Sequence, residues 1–138
     1  MAERYFEPED VEALIPALTE IVEAVMRAHT TGSEIRDRLK EEQRRIAMSG
    51  GAFFDRDRWR ASTQELERLT GEMKAGVDRI VAMGGVVKDL SLGLVDFPHL
   101  RHGREVNLCW KYGEREIRYW HRLDEGFAAR KPLRRDQG

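Results

Sequence analysis

The sequence has little of what marks secreted, membrane or nucleic-acid-binding proteins. A single cysteine in 138 residues excludes an internal disulfide, which is typical of proteins in a reducing cytosol. No apolar run approaches the roughly 18 residues that a membrane span needs, and the first residues lack the basic and apolar segments of an export signal. Because 24 Lys and Arg face 25 Asp and Glu, we expect no nucleic-acid partner. We therefore predict a cytoplasmic protein that is not in the membrane.

The signatures of several common catalytic sites are also absent. No Glu-x-x-His motif occurs on the predicted helices, which argues against a carboxylate-bridged di-iron centre. The Gly84-Gly85 pair follows a predicted helix instead of preceding one, and no Walker lysine is placed, so there is no phosphate loop. The lone Cys109 lacks a Cys-His-Asn pattern and is interpreted as a structural residue. The sequence therefore identifies no reaction, and we do not expect an enzyme.

The first part of the chain, about residues 8–84, has the pattern of two long helices. Apolar residues recur every three or four positions from Pro8, which suits a first helical position, to the glycines Gly50-Gly51, which suit a helix end. A second stripe, close to a heptad pattern, follows Asp55. The short connection predicts an antiparallel hairpin. Two helices leave part of each stripe uncovered, and either the C-terminal third or a second copy of the chain can cover it. We expect both, with the second copy giving a homodimer with coiled-coil packing as a four-helix bundle.

The second part, about residues 86–133, predicts a small antiparallel β-meander and a tail. Strand candidates are Val86–Leu90, then Gly93–Pro98, which we expect to stop at its proline, then Glu105–Tyr112 and Arg115–Leu123. With the helix pair, these strands predict a single α+β domain over residues 1–138, with the apolar face of the sheet against the helices.

The alternation of the last two strands predicts their register. A two-residue type II′ turn at Gly113-Glu114 would place Val106 opposite His121, so that His121 lies on the otherwise apolar face. The basic tail, residues 131–135, is expected to be frayed.

His121 is the centre of the predicted functional site. Asp96, Glu105 and Asp124 lie near strand ends that could converge on it. An imidazole with carboxylates can bind Zn, Mn or Fe, or act as a general base. The alternative is a histidine at the edge of the core, bonded to a backbone carbonyl or to Asp124.

Three further residues are candidates for contacting a ligand. The guanidinium groups of Arg104 and Arg130 can bind a carboxylate or a phosphate in two-point contacts. Trp110 offers an aromatic ring to the same ligand, with packing in the core as its alternative role. For the two arginines, the alternative is structural pairing with Asp96 or Asp124.

Much of the chain matches residues of a known family. They are Phe6, Leu14-Ile15-Pro16, Val87-Lys88-Asp89-Leu90, Gly93-Leu94-Val95-Asp96-Phe97-Pro98, Gly103-Arg104-Glu105-Val106, Leu108-Cys109-Trp110, Gly113-Glu114, Trp120-His121, Asp124, Gly126-Phe127, Arg130 and Pro132. On these residues the chain resembles the uncharacterised bacterial domain-of-unknown-function family 2203. The resemblance implies a small bacterial cytosolic protein of unknown role and a ferritin-like helical arrangement, which fits a helix-pair dimer and says nothing about iron.

Two functions remain open from the sequence, and a third, nucleic-acid binding through Arg104, Arg118, Arg122 and the basic tail, is disfavoured by the near-zero net charge. The first is an interaction or structural module that dimerises through its helices and has no catalysis. The alternative is a protein that binds a metal ion or a small ligand around His121, with hydrolysis as its possible activity.

Overall fold

Two long helices form the first half of the protein, in a computed structural model that describes residues 2–52 and 54–134. Helix α1 spans Pro8–Ser49 and helix α2 spans Arg56–Ala82. Both begin and end where local chemistry predicts. The Asp55 carboxylate accepts a hydrogen bond from the first turn of α2, and Gly50 closes α1 in the left-handed conformation, with φ of 68°. The predicted helical hairpin is confirmed.

A five-stranded antiparallel sheet follows, with its strands in chain order. The strands are β1 (Val86–Asp89), β2 (Leu94–Arg101), β3 (Arg104–Lys111), β4 (Tyr119–Arg122) and β5 (Lys131–Pro132). A short 3₁₀ helix, Phe127–Ala129, lies between the last two. The meander and the α+β class are therefore confirmed. None of the helices in the described part of the chain combines the length and apolarity required to cross a bilayer.

The main core lies between the inner face of the sheet and the nearer half of the helix pair. Its largest members are aromatic: Trp110 and Phe97 from the sheet, and Phe6 from the segment before α1. The rings of Phe6 and Phe97 meet edge to face, 5.2 Å between centroids. A second, smaller cluster, built around Ala28, Ile35 and Leu69, holds the helices together farther along. The sheet is thus fixed to one end of the hairpin.

Strand β2 does not stop at its proline, contrary to the prediction. It continues through Pro98 to Arg101, because β1 pairs with β2 only as far as Asp96. Beyond that point one edge of β2 is open, and a residue without an N–H is tolerated there. The segment before α1 uses this edge, where the Phe6 N–H donates to the Pro98 carbonyl at 2.7 Å.

The predicted register of β3 and β4 is wrong by one residue. His121 lies opposite Asn107 instead of Val106. The connection is a longer loop over residues 112–118 in place of a two-residue turn, and Glu114 holds it in shape. The Glu114 carboxylate accepts from the Lys111 N–H at 2.7 Å, and its carbonyl accepts from the Trp110 indole at 2.9 Å. His121 is therefore on the outer face of the sheet, away from the helices.

The start of the basic tail is ordered, so the expectation of fraying is wrong for residues 131–133. Strand β5 pairs with β4, and the Leu133 N–H donates to the Arg118 carbonyl at 2.7 Å. Leu133 also packs against the main core. Arg135 lies outside the described residues.

Candidate metal centre

Three side chains with metal-binding atoms meet on the outer face of the sheet. Asp96 on β2 lies directly opposite Cys109 on β3. His121 on β4 lies opposite Asn107, which is two residues before Cys109 and on the same face of β3. Because side chains alternate along a strand, all three point away from the helices. They are nevertheless almost completely buried, with 1%, 2% and 2% of their surface exposed. We call them the buried Asp–Cys–His cluster.

The atoms of the cluster converge on one point. One carboxylate oxygen, the thiol sulfur and one ring nitrogen lie within 4.8 Å of one another. His121 Nε2 and Asp96 Oδ2 lie 2.9 Å apart. This contact has the distance but not the alignment of a hydrogen bond. The Cys109 thiol is a second potential donor, yet neither oxygen of Asp96 accepts a well-aligned bond within residues 2–52 and 54–134. A buried carboxylate without a well-aligned donor is uncommon and calls for a reason such as an ion.

The other nitrogen of His121 has a backbone partner. Nδ1 lies 2.8 Å from the backbone carbonyl oxygen of Arg122. Since a carbonyl only accepts, Nδ1 carries a hydrogen, and Nε2 is the nitrogen that faces Asp96. A backbone acceptor on the far nitrogen is the usual arrangement behind a metal-binding histidine.

Burial controls the protonation of the acid and the thiol. It raises the pKa of Asp96, while the His121 and Lys88 charges act in the opposite direction. Burial also raises the pKa of Cys109 to about 12, helped by the Asp96 charge and opposed by the Arg130 guanidinium. At neutral pH the metal-free Cys109 is therefore a protonated thiol and a poor nucleophile.

The C-terminal segment, residues 124–131, borders the cluster through Arg130. Its guanidinium pairs with Glu114 at 3.1 Å and stacks on Tyr119 and Phe127, with 4.1 Å and 4.4 Å to the ring centroids. These contacts hold Arg130 beside Cys109. The cluster is thus closed to solvent as the chain stands.

The structure brings together two of the four residues predicted as metal ligands. Asp96 and His121 meet, whereas Glu105 bonds Tyr5 Oη at 2.9 Å and the Ala2 N–H at 3.2 Å. Asp124 is exposed after β4. Cys109, interpreted as structural, is the third member. Pairing β2 with β3 in sequence could have found it, because that pairing sets Cys109 opposite Asp96.

The predicted ligand-contact residues lie in three different places. Trp110 is 0% exposed, within the core, and its indole N–H is bonded, so no ligand reaches it. Arg130 borders the cluster as described above. Arg104 is exposed at the start of β3, away from the cluster.

The fold and the site define an α+β protein in which a helical hairpin carries a β-meander with a buried cluster of ligand-type side chains. The chain matches the family described as "Uncharacterized conserved protein (DUF2203)" over residues 4–133, and it belongs to that family. No curated protein matches the chain, and no solved structure does so either. The family identifies no activity.

Proposed function

We propose that this protein binds one thiophilic divalent cation, with Zn²⁺ as the first choice, at the buried Asp–Cys–His cluster. The observation that carries the proposal is the buried Asp96 carboxylate, which accepts no well-aligned hydrogen bond although a thiol and an imidazole lie beside it. A cation would satisfy all three groups at once. This role deepens the metal-binding alternative drawn from the sequence, with Cys109 in place of the two exposed or partly exposed acids.

The arrangement favours coordination over nucleophilic catalysis. In a catalytic triad the histidine bridges the nucleophile and the acid through its two different nitrogens. Here Nδ1 of His121 is occupied by the Arg122 carbonyl, and Nε2 faces Asp96, with the Cys109 sulfur in the same cluster. Ligands converge on a metal in this way. Hydrolysis is not part of the proposal, because the cluster is closed to solvent and the thiol is protonated.

The ligand types select the ion. A thiolate with an imidazole and a carboxylate is a set that Zn²⁺ accepts, whereas Mn²⁺ prefers oxygen ligands and Fe²⁺ binds more weakly in the general order of affinities. In a tetrahedral zinc site, bonds of about 2.0–2.3 Å separate the ligand atoms by roughly 3.5 Å. Separations up to 4.8 Å therefore need small side-chain rotations to close around the ion.

Binding would also change the charges at the site. The ion replaces the Cys109 proton, so one proton is released for each ion bound when Asp96 is already ionised. The dication then neutralises the buried thiolate and carboxylate together. Since β2, β3 and β4 each supply one ligand, we expect the ion to hold the outer face of the sheet together, with its fourth coordination position left to a ligand from outside the cluster.

The test is cobalt and zinc titration of chelator-treated, desalted protein. Co²⁺ bound to a thiolate gives a near-ultraviolet charge-transfer band, and competition with Zn²⁺ then gives the zinc affinity. We expect one ion per chain and displacement of Co²⁺ by Zn²⁺. Cys109→Ser should abolish the band, and Asp96→Asn should weaken binding by roughly 100-fold or more, since even outer partners of metal ligands are worth about 10–100-fold.

The matched control is Glu105→Gln, which removes an acid on the same sheet face but outside the cluster. It should bind the ion as the unmodified protein does. Absence of saturable binding in the unmodified protein, or equal binding by Cys109→Ser, would refute the proposal. Far-ultraviolet circular dichroism of each metal-free variant establishes that it is folded.

We also propose a homodimer formed through the far half of the helix pair. Its support is the partial exposure of apolar side chains there, including Leu39, Trp59 and Leu66, beyond the reach of the sheet. Light scattering at micromolar concentration tests it, and a mass of 16.0 kDa would count against it. We propose as well a cytoplasmic location, which the single free thiol supports, and a bacterial origin.

A further inference from the structure

The inner face of the sheet continues past the helices at one end, and three arginines lie there. Arg101 is paired with Arg104 at the β2–β3 turn, and Arg122 on β4 is paired with Val106 on β3. All of them share the face that carries the core residues farther along. Together with His102, Trp120 and Leu123 they line a groove of about 390 Å³, to which neither helix contributes. We call it the cationic groove.

The charges of the cationic groove are poorly compensated. No salt bridge involving Arg101, Arg104 or Arg122 occurs within residues 2–52 and 54–134. The one acid in the lining, Glu105, accepts from Tyr5 and Ala2 instead. Glu125 lies close enough to Arg122 to feel its charge, yet its carboxylate accepts from the Lys131 ammonium and a backbone N–H.

The turn between the strands concentrates the charges further. Like charges placed directly opposite each other on a sheet destabilise it, and Arg101 and Arg104 are such a pair. The turn residues His102 and Gly103 both have positive φ, 51° and 79°, which makes a tight two-residue turn that keeps the pair together. Because no acid in the described residues is paired with these arginines, their positive charge is available to an external anion.

The contacts of the Trp120 ring limit the kind of anion that the cationic groove can bind. The Arg101 guanidinium and the Lys131 ammonium lie over its ring, at 4.6 Å and 5.1 Å from the centroid. The ring is therefore not a free platform for a nucleobase, as single-stranded nucleic-acid binders require. Guanidinium groups instead bind phosphate oxygens in two-point contacts. The groove volume lies within the roughly 300–1,000 Å³ of small-molecule sites.

From these observations we propose that the cationic groove binds a small ligand that carries two or more phosphate groups. Arg104 and Arg122 would each bind one phosphate of this ligand. The negative charge of the ligand would also relieve the repulsion between Arg104 and Arg101. This site is separate from the buried cluster, so either can exist without the other.

The experiment is isothermal titration of the protein with inorganic pyrophosphate at constant ionic strength near that of a cell. Metal-free protein is used, because pyrophosphate itself binds divalent ions. We expect saturable binding of one pyrophosphate per chain, and weaker binding of a single phosphate. Arg104→Gln and Arg122→Gln should each weaken it by about 10-fold or more, since hydrogen bonds to charged groups are the strong ones. Lysine in place of arginine at either position should restore only part of the lost affinity for pyrophosphate.

Arg118→Gln is the matched control, because Arg118 is an exposed arginine that pairs with Glu116 at 2.9 Å outside the groove. It should bind pyrophosphate normally. No saturable binding, or equal losses in Arg104→Gln and Arg118→Gln, would overturn the proposal. Tighter binding of a single-stranded RNA oligonucleotide, or sedimentation with vesicles of anionic phospholipid that Arg104→Gln abolishes, would overturn it in favour of a macromolecular or membrane surface. Cys109→Ser should leave pyrophosphate binding unchanged.

Discussion

Replacing Asp96 with asparagine should stabilise the metal-free protein while it removes a metal ligand. The carboxylate is buried, and neither of its oxygens accepts a well-aligned hydrogen bond in the described part of the chain. A buried polar group without a partner costs about 1–3 kcal/mol, and more when it is charged. Asparagine has nearly the same shape and no charge, and its amide can donate to His121 Nε2, which lies 2.9 Å from Oδ2.

We therefore expect Asp96→Asn to increase the free energy of unfolding by about 1–2 kcal/mol at neutral pH. The corresponding rise in Tm for a chain of this size is about 3–8 °C. Urea and thermal unfolding followed by circular dichroism, in the presence of a chelator, measure both quantities. If the variant is instead less stable by about 1 kcal/mol or more, the carboxylate stabilises the fold as an ion pair with His121, and the reasoning fails.

Zinc should reverse the order of stabilities. A ligand that binds only the folded state stabilises it by about 2.7 kcal/mol at 100 times its Kd. The unmodified protein gains this amount, whereas Asp96→Asn, with weakened binding, gains little at the same zinc concentration. A purely structural Asp96 would give the same difference between the two proteins with and without zinc, so this comparison separates the two roles.

The effect of Asp96→Asn also depends on pH in a defined direction. Burial raises the pKa of Asp96 above its ordinary value of 3.8. An acid with a raised pKa contributes its stability below the unfolded-state value and loses it as the pH rises through the folded-state value. The advantage of asparagine should therefore be smallest below about pH 3.8 and should grow toward neutral pH. Unfolding measured across this range checks the sign.

Two further predictions follow from burial and close packing. Metal-free Cys109, the single cysteine, should react with iodoacetamide at neutral pH far more slowly in the folded than in the urea-unfolded protein, because it is buried and its pKa is about 12; mass spectrometry measures this, and equal rates would show an accessible thiol. Gly76→Ala should lower the free energy of unfolding by about 1–3 kcal/mol, because the new Cβ would lie 2.3 Å from Val25 Cγ2. Gly71→Ala should raise the free energy of unfolding by about 0.5–1 kcal/mol, because its Cβ would lie in open space. Equal effects of the two substitutions in urea unfolding would refute the argument.

The helix ends could be predicted because their signals are local. Proline at the first helical position, Asp55 before α2 and Gly50 after α1 each act through the backbone of their own turn. Such interactions depend on a few neighbouring residues, so the sequence contains all the information needed. The order of the strands followed from their short connections for the same reason.

The strand register could not be predicted because it depends on side chains within the loop. The Glu114 carboxylate and carbonyl bind the Lys111 N–H and the Trp110 indole, and these contacts favour the longer connection over a two-residue turn. The resulting shift of one residue moves His121 from the inner to the outer face. The alternation of residues 115–123 favours the wrong face, because Ile117 and Trp120 both pack in the main core and the alternation therefore changes phase before β4 begins at Tyr119.

The candidate site was therefore predicted only in part. Asp96 and His121 were both chosen from the sequence, since a histidine near strand-end acids is recognisable by residue type. Cys109 was not chosen, because a single cysteine has no spacing signature and becomes a ligand candidate only when β2 and β3 are paired. Glu105 and Asp124 were chosen for nearness in sequence, which does not decide where a carboxylate points.

The hairpin reaches well beyond the platform that the sheet provides. The last residue of α1 in contact with the main core is Met26, and the helix continues to Ser49, which at 1.5 Å per residue leaves an arm of about 35 Å. A monomer of this shape diffuses more slowly than a sphere of equal mass. It would elute early in gel filtration, at the position of a heavier and rounder protein, so the number of chains must be counted by a method that measures mass independently of shape.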